Sequence, residues 1–195
     1  MIAVVDSGGA NFGSVLFALE RIGVSAVITA DPVIIQQSDK VILPGVGAAG
    51  AAMRGLRERE LVSCLRELTQ PVLGICLGMQ LLYERSEEGE TECLGVLSGT
   101  VRKMKPRPGA PIPHMGWNAV TLAGRGPCPL LVAEGEQFYF VHSFAAPAGD
   151  AVLAVSEYGD DVPAIVRSGN WFGTQFHPER SGAPGERLLR RFVDL

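Results

Sequence analysis

Short apolar segments alternate with amphipathic segments along the first half of the chain. The strand-like runs are IAVV (residues 2–5), VSAVIT (24–29), KVIL (40–43) and PVLGI (71–75). Apolar residues recur at helical spacing over residues 12–22, and a second helical pattern covers residues 60–68. Buried strands that alternate with helices predict a mostly parallel sheet with helices on both faces.

The pattern changes from about residue 94, where strand-like runs follow one another without long helices between them. We expect these runs to extend the sheet in an antiparallel arrangement, before a helix that closes the chain at residues 185–195. The predicted fold class is therefore α/β. A length of 195 residues fits one domain, so residues 1–195 are predicted to form a single domain.

The composition narrows the class of protein. A hydrophobic content of 47% indicates a packed core, and a net charge of −4 without any Lys/Arg cluster argues against a nucleic-acid partner. No apolar run approaches the ~20 residues of a membrane span, and the first residues lack the pattern of a signal peptide. The cysteines show no metal-ligand spacing, so we expect reduced thiols in a cytoplasmic protein; they are Cys64, Cys76, Cys93 and Cys128.

Cys76 lies where the run PVLGI is expected to turn into a helix covering LGMQLLYER, inside the pattern G-x-C-x-G (residues 74–78). A nucleophile on a sharp strand-to-helix turn needs small neighbours, because the backbone there is crowded. The N-terminus of the following helix would stabilise the thiolate. The same residues also fit a small, inert core cysteine, which is the commoner role of this residue type.

A cysteine nucleophile needs a base, and the base needs a group that orients it. The chain has three histidines, and only His177 has a carboxylate close in sequence, Glu179 in FHPER. Pro178 favours an extended backbone at His177, which would direct the side chains of residues 177 and 179 to the same side. A strand-end histidine beside an unrelated surface glutamate would give the same local pattern.

The segment LPGVG (residues 43–47) follows the run KVIL and exposes backbone N–H groups. The N–H of Val46 or Gly47, together with that of Leu77, would form an oxyanion hole beside Cys76. An ordinary turn between a strand and a helix is the alternative interpretation.

Taken together and in this order, PGVG, GICLGMQ and FHPE resemble the motifs of class I (triad) glutamine amidotransferases. PHMGWN (113–118), YFVHSF (139–144), GTQFHPERS (173–181) and the N-terminal DSGGANFGSV resemble those of one branch, the glutaminase subunits of imidazole glycerol phosphate synthase. The resemblance implies one flavodoxin-like domain that hydrolyses glutamine to glutamate and ammonia through a cysteine thioester. It implies Cys76, His177 and Glu179 as the catalytic triad, with no cofactor and no metal.

The resemblance also implies how substrate and partner are bound. Gln80 and the backbone at Gly47, Ser143 and Phe144 would hold the substrate, L-glutamine. The partner would be a (β/α)8-barrel cyclase subunit in a heterodimer, which uses the ammonia to make imidazole glycerol phosphate and aminoimidazole carboxamide ribotide in histidine biosynthesis. The candidate contacts with this partner are Asn11, Ser14, Met115, Trp117, Tyr139 and Arg180. Trp117 and Tyr139 fit equally well as core aromatic residues.

Four positions depart from the usual pattern of that branch, and none of them belongs to the triad: Ser7, Ala10, Phe144 and Arg180. The alternatives to this function are a stand-alone cysteine hydrolase, a glutaminase of another pathway, and an inactive binding module. The block PHMGWN argues against the first two, and the intact triad argues against the third.

Overall fold

The computed structural model describes residues 1–9, 12–124, 126–130 and 133–195. Its strands are β1 (Ile2–Val5), β2 (Ala26–Thr29), β3 (Lys40–Gly45), β4 (Val72–Cys76), β5 (Tyr83–Ser86), β6 (Thr91–Glu92), β7 (Leu97–Lys103), β8 (His114–Leu122), β9 (Glu136–His142), β10 (Phe144–Ala145), β11 (Val152–Tyr158), β12 (Asp160–Ser168) and β13 (Trp171–Thr174). Its α-helices are α1 (Phe12–Arg21), α2 (Pro32–Gln37), α3 (Ala49–Glu58), α4 (Leu61–Arg66), α5 (Leu77–Gln80) and α6 (Gly182–Val193). Short 3₁₀ turns cover Glu88–Glu90 and Pro178–Arg180.

The larger sheet runs in the order β2-β1-β3-β4-β13-β12-β11-β8-β9. Strands β2, β1, β3, β4 and β13 pair in parallel. Strands β12, β11, β8 and β9 continue the sheet with antiparallel pairings. This confirms the predicted α/β class with an antiparallel extension in the second half. A smaller sheet, in the order β10-β7-β5-β6, lies beside it and was not predicted.

Helices cover both faces of the larger sheet. The side chains of β1 point alternately to one face and to the other, and each set packs with a different group of helices. Ala3 and Val5 belong to the core cluster that contains buried side chains of α2, α3 and α4. Ile2 and Val4 belong to the second cluster, with buried side chains of α1 and α6. Successive residues of a strand point to opposite faces, so a strand that is buried on both sides needs an unbroken apolar run. None of the described helices is long and apolar enough to cross a membrane.

The helix after Cys76 is shorter than predicted, because α5 ends at Gln80 and β5 begins at Tyr83. Leu81, Leu82 and Tyr83 are all buried, like the four residues of α5 before them, so burial alone does not mark where the helix ends. The chain instead pairs in parallel with β7. Helices α2 and α3 were not predicted, although Asp31 caps α2 by accepting a hydrogen bond from the Val33 N–H at 2.8 Å.

Backbone atoms of β3, β4 and α5 touch where the strands end at Cys76. A Cβ atom on Gly78 would lie 1.8 Å from the Leu43 carbonyl oxygen, and one on Gly74 would lie 2.7 Å from the Gly78 oxygen. A Cβ atom on Gly45 would lie 2.7 Å from the Gly78 nitrogen. These glycines therefore let the short helix sit directly on two strands, as the reasoning about small neighbours of Cys76 requires.

We predict that Gly78→Ala lowers the free energy of unfolding by about 3 kcal/mol or more, because the new methyl group overlaps the backbone of β3. The matched control is Gly149→Ala, whose Cβ would have nothing within 4 Å; its effect should stay within about 1 kcal/mol. Urea unfolding of both variants measures the difference. Equal stability of the two would contradict the close approach of α5 to β3.

Candidate active site

Cys76 occupies the sharp turn between β4 and α5, with φ 53° and ψ −109°. A side chain other than glycine rarely adopts a positive φ, and such backbone strain clusters at functional sites. Cys76 opens into a cavity of about 340 Å³. The predicted residues that line this cavity are Val46, Gly47, Cys76, Leu77, Gln80, Ser143, Phe144 and His177.

His177 and Glu179 form a buried pair beside Cys76. The Nδ1 atom of His177 lies 2.7 Å from Oε1 of Glu179, and both side chains are only 6% exposed. Burial by itself lowers the pKa of His177, but its hydrogen bonds with Cys76 and Glu179 outweigh burial and raise that pKa to about 10. The ring nitrogen that does not contact Glu179 is therefore the one directed at the sulfur.

The predicted geometry of this pair is wrong in one respect, since Pro178–Arg180 forms a 3₁₀ turn and not an extended segment. His177 itself is extended, as Pro178 requires. Ser181, which the sequence analysis missed, anchors the turn. Its hydroxyl donates to the His177 carbonyl at 2.6 Å and accepts the Tyr139 N–H at 3.0 Å. The Tyr139 carbonyl accepts the His177 N–H at 2.9 Å, so the turn is held on β9 from both ends.

Three residues of the segment PGVG line the same cavity as His177: Gly45, Val46 and Gly47. Gly47 has φ +86°, a backbone conformation that favours glycine, and a Cβ atom there would have nothing within 4 Å. Val46 is 42% exposed although it is apolar. Leu77 begins α5 and lies within the same cavity wall. The predicted oxyanion-hole residues are thus brought together around Cys76, as that prediction requires.

Gln80 is more constrained than the sequence analysis anticipated. Its Nε2 donates to the Phe144 carbonyl at 2.8 Å and to Oε1 of Gln175 at 3.0 Å. Because both N–H groups are used, Oε1 is the atom of Gln80 that can accept a hydrogen bond from a substrate. The Nε2 of Gln175 lies 3.8 Å from the Cys76 sulfur. The hydrogen bond from Gln80 ends on the backbone carbonyl of Phe144, so a side-chain hydroxyl at position 144 is not needed for it.

Two further polar residues in the cavity wall, Glu88 and His142, were missed. Glu88 lies in the run SEEGE, which reads as an exposed acidic segment and offers no signal of a site. Its Oε2 accepts the Ala49 N–H at 2.7 Å, which fixes the carboxylate. Gln175 could have been found, since it lies in the quoted motif GTQFHPERS. Within the described ranges, no group of three or more His, Cys, Asp or Glu side chains is arranged to hold a metal ion.

His142 and His114 form a second histidine pair with the opposite electrostatics. Burial lowers the pKa of His114 to about 4 and that of His142 to about 3. The His114 Nδ1 lies 3.0 Å from the His142 Nε2. Both rings are therefore neutral at physiological pH, whereas His177 favours its protonated form.

The predicted partner residues fall on one side of the molecule where they are described. Met115 and Trp117 project from β8 and are 60% and 57% exposed. Tyr139 pairs with Trp117 across β8 and β9, with ring centroids 6.2 Å apart. Arg180 is exposed in the turn that follows His177, and α1, which carries Ser14, packs against this turn. Asn11 lies outside the described residues, as does Ala10.

Comparison with known proteins defines the class. The family model for class I glutamine amidotransferases matches residues 3–195. The chain belongs to the class I glutamine amidotransferase family. A crystal structure of a glutamine amidotransferase superposes with a TM-score of 0.73 at 24% identity, covering 99% of this chain and 97% of the other. The crystal structure of a glutamine amidotransferase from Thermotoga maritima gives 0.64 at 18% identity, covering 99% and 80%. These two likenesses show the fold.

Sequence relatives define the branch of the family. The imidazole glycerol phosphate synthase subunit HisH of Idiomarina loihiensis is 51% identical over 194 residues, covering 100% of this chain and 97% of the relative. HisH of Xanthomonas axonopodis pv. citri is 50% identical with the same coverage, and HisH 1 of Vibrio vulnificus is 47% identical over 200 residues, covering 100% and 98%. The predicted branch and the predicted enzyme class, a glutamine amidotransferase subunit, are confirmed.

The pKa of His177 is raised on folding and the pKa values of His114 and His142 are lowered. These opposite shifts predict that the free energy of unfolding is largest near pH 6.5, the pKa of an unfolded histidine. The neutral pair binds protons more weakly when folded, so acidification from pH 6.5 towards 4 should cost up to about 1.4 kcal/mol per pH unit for each histidine. His177 binds its proton more tightly when folded, so its contribution is complete below pH 6.5 and is lost as the pH rises to about 10.

Urea unfolding between pH 4.5 and 9.5 measures both limbs. His142→Asn should reduce the slope of the acid limb by about half, because His114 still contributes, and should leave the alkaline limb unchanged. His177→Asn should flatten the alkaline limb and leave the acid limb unchanged. An acid limb that survives in a protein lacking His142 and His114 would show that other groups cause it.

Proposed function

We propose that this chain hydrolyses L-glutamine at Cys76 and supplies the ammonia to a cyclase subunit of imidazole glycerol phosphate synthase. The observation that carries this proposal is the alignment of the cavity, the Cys76 sulfur, the His177 ring and the Glu179 carboxylate. Such an alignment suits acyl transfer from an amide to a thiol. Both sheets contribute to the cavity wall, which supports treating residues 1–195 as one amidotransferase domain.

The first half of the reaction forms a thioester. The proton of the Cys76 thiol resides on His177, and the resulting thiolate attacks the side-chain amide carbon of glutamine. The N–H of Leu77 and that of Val46 or Gly47 stabilise the resulting oxyanion. The His177 imidazolium then gives its proton to the amide nitrogen, the C–N bond breaks, and ammonia leaves. Glu179 keeps the ring oriented and stabilises its positive charge throughout.

The second half releases glutamate. His177, neutral again, accepts a proton from a water molecule as that water attacks the thioester carbon. The C–S bond breaks, the sulfur leaves with the proton from His177, and the carboxylic acid ionises. The protein alone supplies the base, the acid and the oxyanion donors, so the mechanism uses no cofactor.

The far end of the cavity suits the amino-acid end of the substrate. Gln80 Oε1 accepts a hydrogen bond from the substrate, and the backbone at Gly47, Ser143 and Phe144 surrounds it. The fixed carboxylate of Glu88 lies in the same wall and pairs with the α-ammonium group. A charged partner at this end would distinguish glutamine from a simple amide.

The partner in this proposal is a (β/α)8-barrel cyclase subunit, as in histidine biosynthesis. It docks on the side formed by Met115, Trp117, Tyr139 and Arg180, with Ser14 at its rim. An aromatic pair with adjacent methionine and arginine is the composition typical of the centre of an interface. Four free cysteines accord with a cytoplasmic location, where thiols stay reduced.

The test measures glutamate release from glutamine by this chain alone and by the chain together with the nucleotide-bound cyclase subunit. We expect strong stimulation by the liganded partner and no turnover by Cys76→Ala. Cys64→Ala is the matched control, because Cys64 is buried beneath α2 and far from the cavity, and it should keep the wild-type rate. Turnover by Cys76→Ala would refute the assignment of the nucleophile, and a lack of stimulation would refute the partner.

We predict that Glu88→Gln raises KM for glutamine at least about tenfold with kcat within about threefold, since it removes a charge from the binding site only. The amide oxygen of the new side chain can still accept the Ala49 N–H, so the turn should persist. Glu90→Gln, in the same turn but outside the cavity wall, is the control. Steady-state kinetics with the liganded complex provide the measurement, and an unchanged KM would remove Glu88 from the substrate site.

A further inference from the structure

A line of hydrogen bonds begins at Asn118 on β8 and runs through the histidine pair. The Asn118 Nδ2 lies 3.4 Å from the His114 Nε2, and the His114 Nδ1 lies 3.0 Å from the His142 Nε2. The His142 Nδ1 lies 2.8 Å from the Phe144 carbonyl oxygen. Four polar groups are thus joined end to end beside the cavity.

The same carbonyl oxygen continues the line to the nucleophile. Phe144 O accepts a second hydrogen bond from Gln80 Nε2, which also donates to Gln175. The Nε2 of Gln175 lies 3.8 Å from the Cys76 sulfur. The Phe144 carbonyl is therefore the junction between the histidine pair and the residues that face substrate.

The Phe144 carbonyl, at one end of this line, determines which nitrogen donates and which accepts in each hydrogen bond of the histidine pair. A carbonyl oxygen only accepts, so His142 carries its proton on Nδ1. A neutral His142 then accepts at Nε2, which requires the proton of His114 to be on Nδ1 and leaves the His114 Nε2 as an acceptor.

Asn118, at the other end of the line, independently requires the same placement of the protons on His114. Asn118 accepts the Ala119 N–H with Oδ1 at 3.0 Å and donates to the Glu157 carbonyl with Nδ2 at 2.9 Å. These bonds orient its amide so that an N–H faces His114, whose Nε2 must accept. Both ends therefore require the same tautomer in both rings.

The surroundings keep the rings neutral and in place. His114 is stacked between Phe140, with centroids 4.6 Å apart, and Tyr158, at 3.8 Å. Burial lowers the pKa of both His114 and His142. A proton added to either ring would turn two donors towards each other and break the line.

We propose that His142, held in a single neutral tautomer by His114, is a positioning residue that orients the Phe144 carbonyl and, through it, the Gln80 amide for glutamine binding. The proposal rests on the proposed glutaminase function and adds a residue pair to it. His142 touches neither the sulfur nor its proton acceptor in this role. Its loss should therefore affect the binding of glutamine more than the chemical step.

The kinetic test compares two substitutions of one residue in the complex with the liganded cyclase subunit. His142→Leu removes the donor to Phe144 O, and we expect KM for glutamine to rise about tenfold while kcat stays within about threefold. His142→Asn places an amide N–H where Nδ1 was, so it should restore KM to within about threefold of wild type. Tyr158→Phe keeps the ring on His114, removes only the hydroxyl that donates to Pro111, and should not change KM.

The outcomes separate this proposal from the one it rests on. If wild type hydrolyses glutamine and His142→Leu leaves KM unchanged, or if His142→Asn raises KM as much as His142→Leu, the positioning role is overturned and the glutaminase function stands. If wild type releases no glutamate, the proposed function itself fails.

A second measurement needs no variant. A ¹⁵N-detected histidine spectrum of the wild-type chain at pH 7 distinguishes Nδ1–H, Nε2–H and doubly protonated rings. We expect His114 and His142 both to carry a proton on Nδ1 only. Finding either ring protonated on Nε2 would overturn the proposal even where the leucine variant does not fold.

Discussion

The contact between the backbone of α5 and the ends of β3 and β4 is the constraint on which the site depends. With no Cβ at Gly45, Gly74 and Gly78, three backbone segments approach each other more closely than side chains allow. This approach forces Cys76 into its positive-φ turn, so the sulfur projects from the strand ends into the cavity. The proposed oxyanion donors at the end of β3 line the same cavity. A nucleophile on a longer or looser turn would not meet these donors at a fixed distance.

Electrostatics divide the three histidines into two groups, of which only His142 and His177 line the active-site cavity. Glu179 and the sulfur raise the pKa of His177, which can therefore carry the charge that acyl transfer creates. Within the described part of the chain, the hydrogen-bond and stacking partners of the His114 and His142 rings include no carboxylate, and burial lowers the pKa of both rings. Neutral rings can donate and accept in a fixed order, which suits them to orientation. Burial depth alone does not distinguish these roles, because all three histidines are buried.

The sequence allowed the parallel half of the sheet and the turn at Cys76 to be predicted, because each has a local signature. The pairing of His177 with Cys76 has no local signature and was predicted from the family resemblance. Unbroken apolar runs indicate strands buried on both faces, and glycines around a cysteine indicate a crowded turn. The length of α5 was wrong because three buried residues after Gln80 continue an apolar run that suits a helix or a strand. Glu88 was missed because its place in the cavity depends on the packing of β5 and its turn, which is a long-range property. The 3₁₀ turn at Pro178 was missed because its stabilising partner, Ser181, acts through β9.

The hairpin of β8 and β9 ends the larger sheet, and β9 has no further neighbour in the described sheet. Its edge is bonded at Tyr139 to the turn that follows His177. The same hairpin exposes the apolar side chains of Met115 and Trp117 on β8. Exposed apolar patches promote association, including association between identical molecules. A chain synthesised in excess of the partner that covers these side chains would be prone to self-association. The relative amounts of the two subunits in the cell then become a matter of solubility as well as of catalytic output.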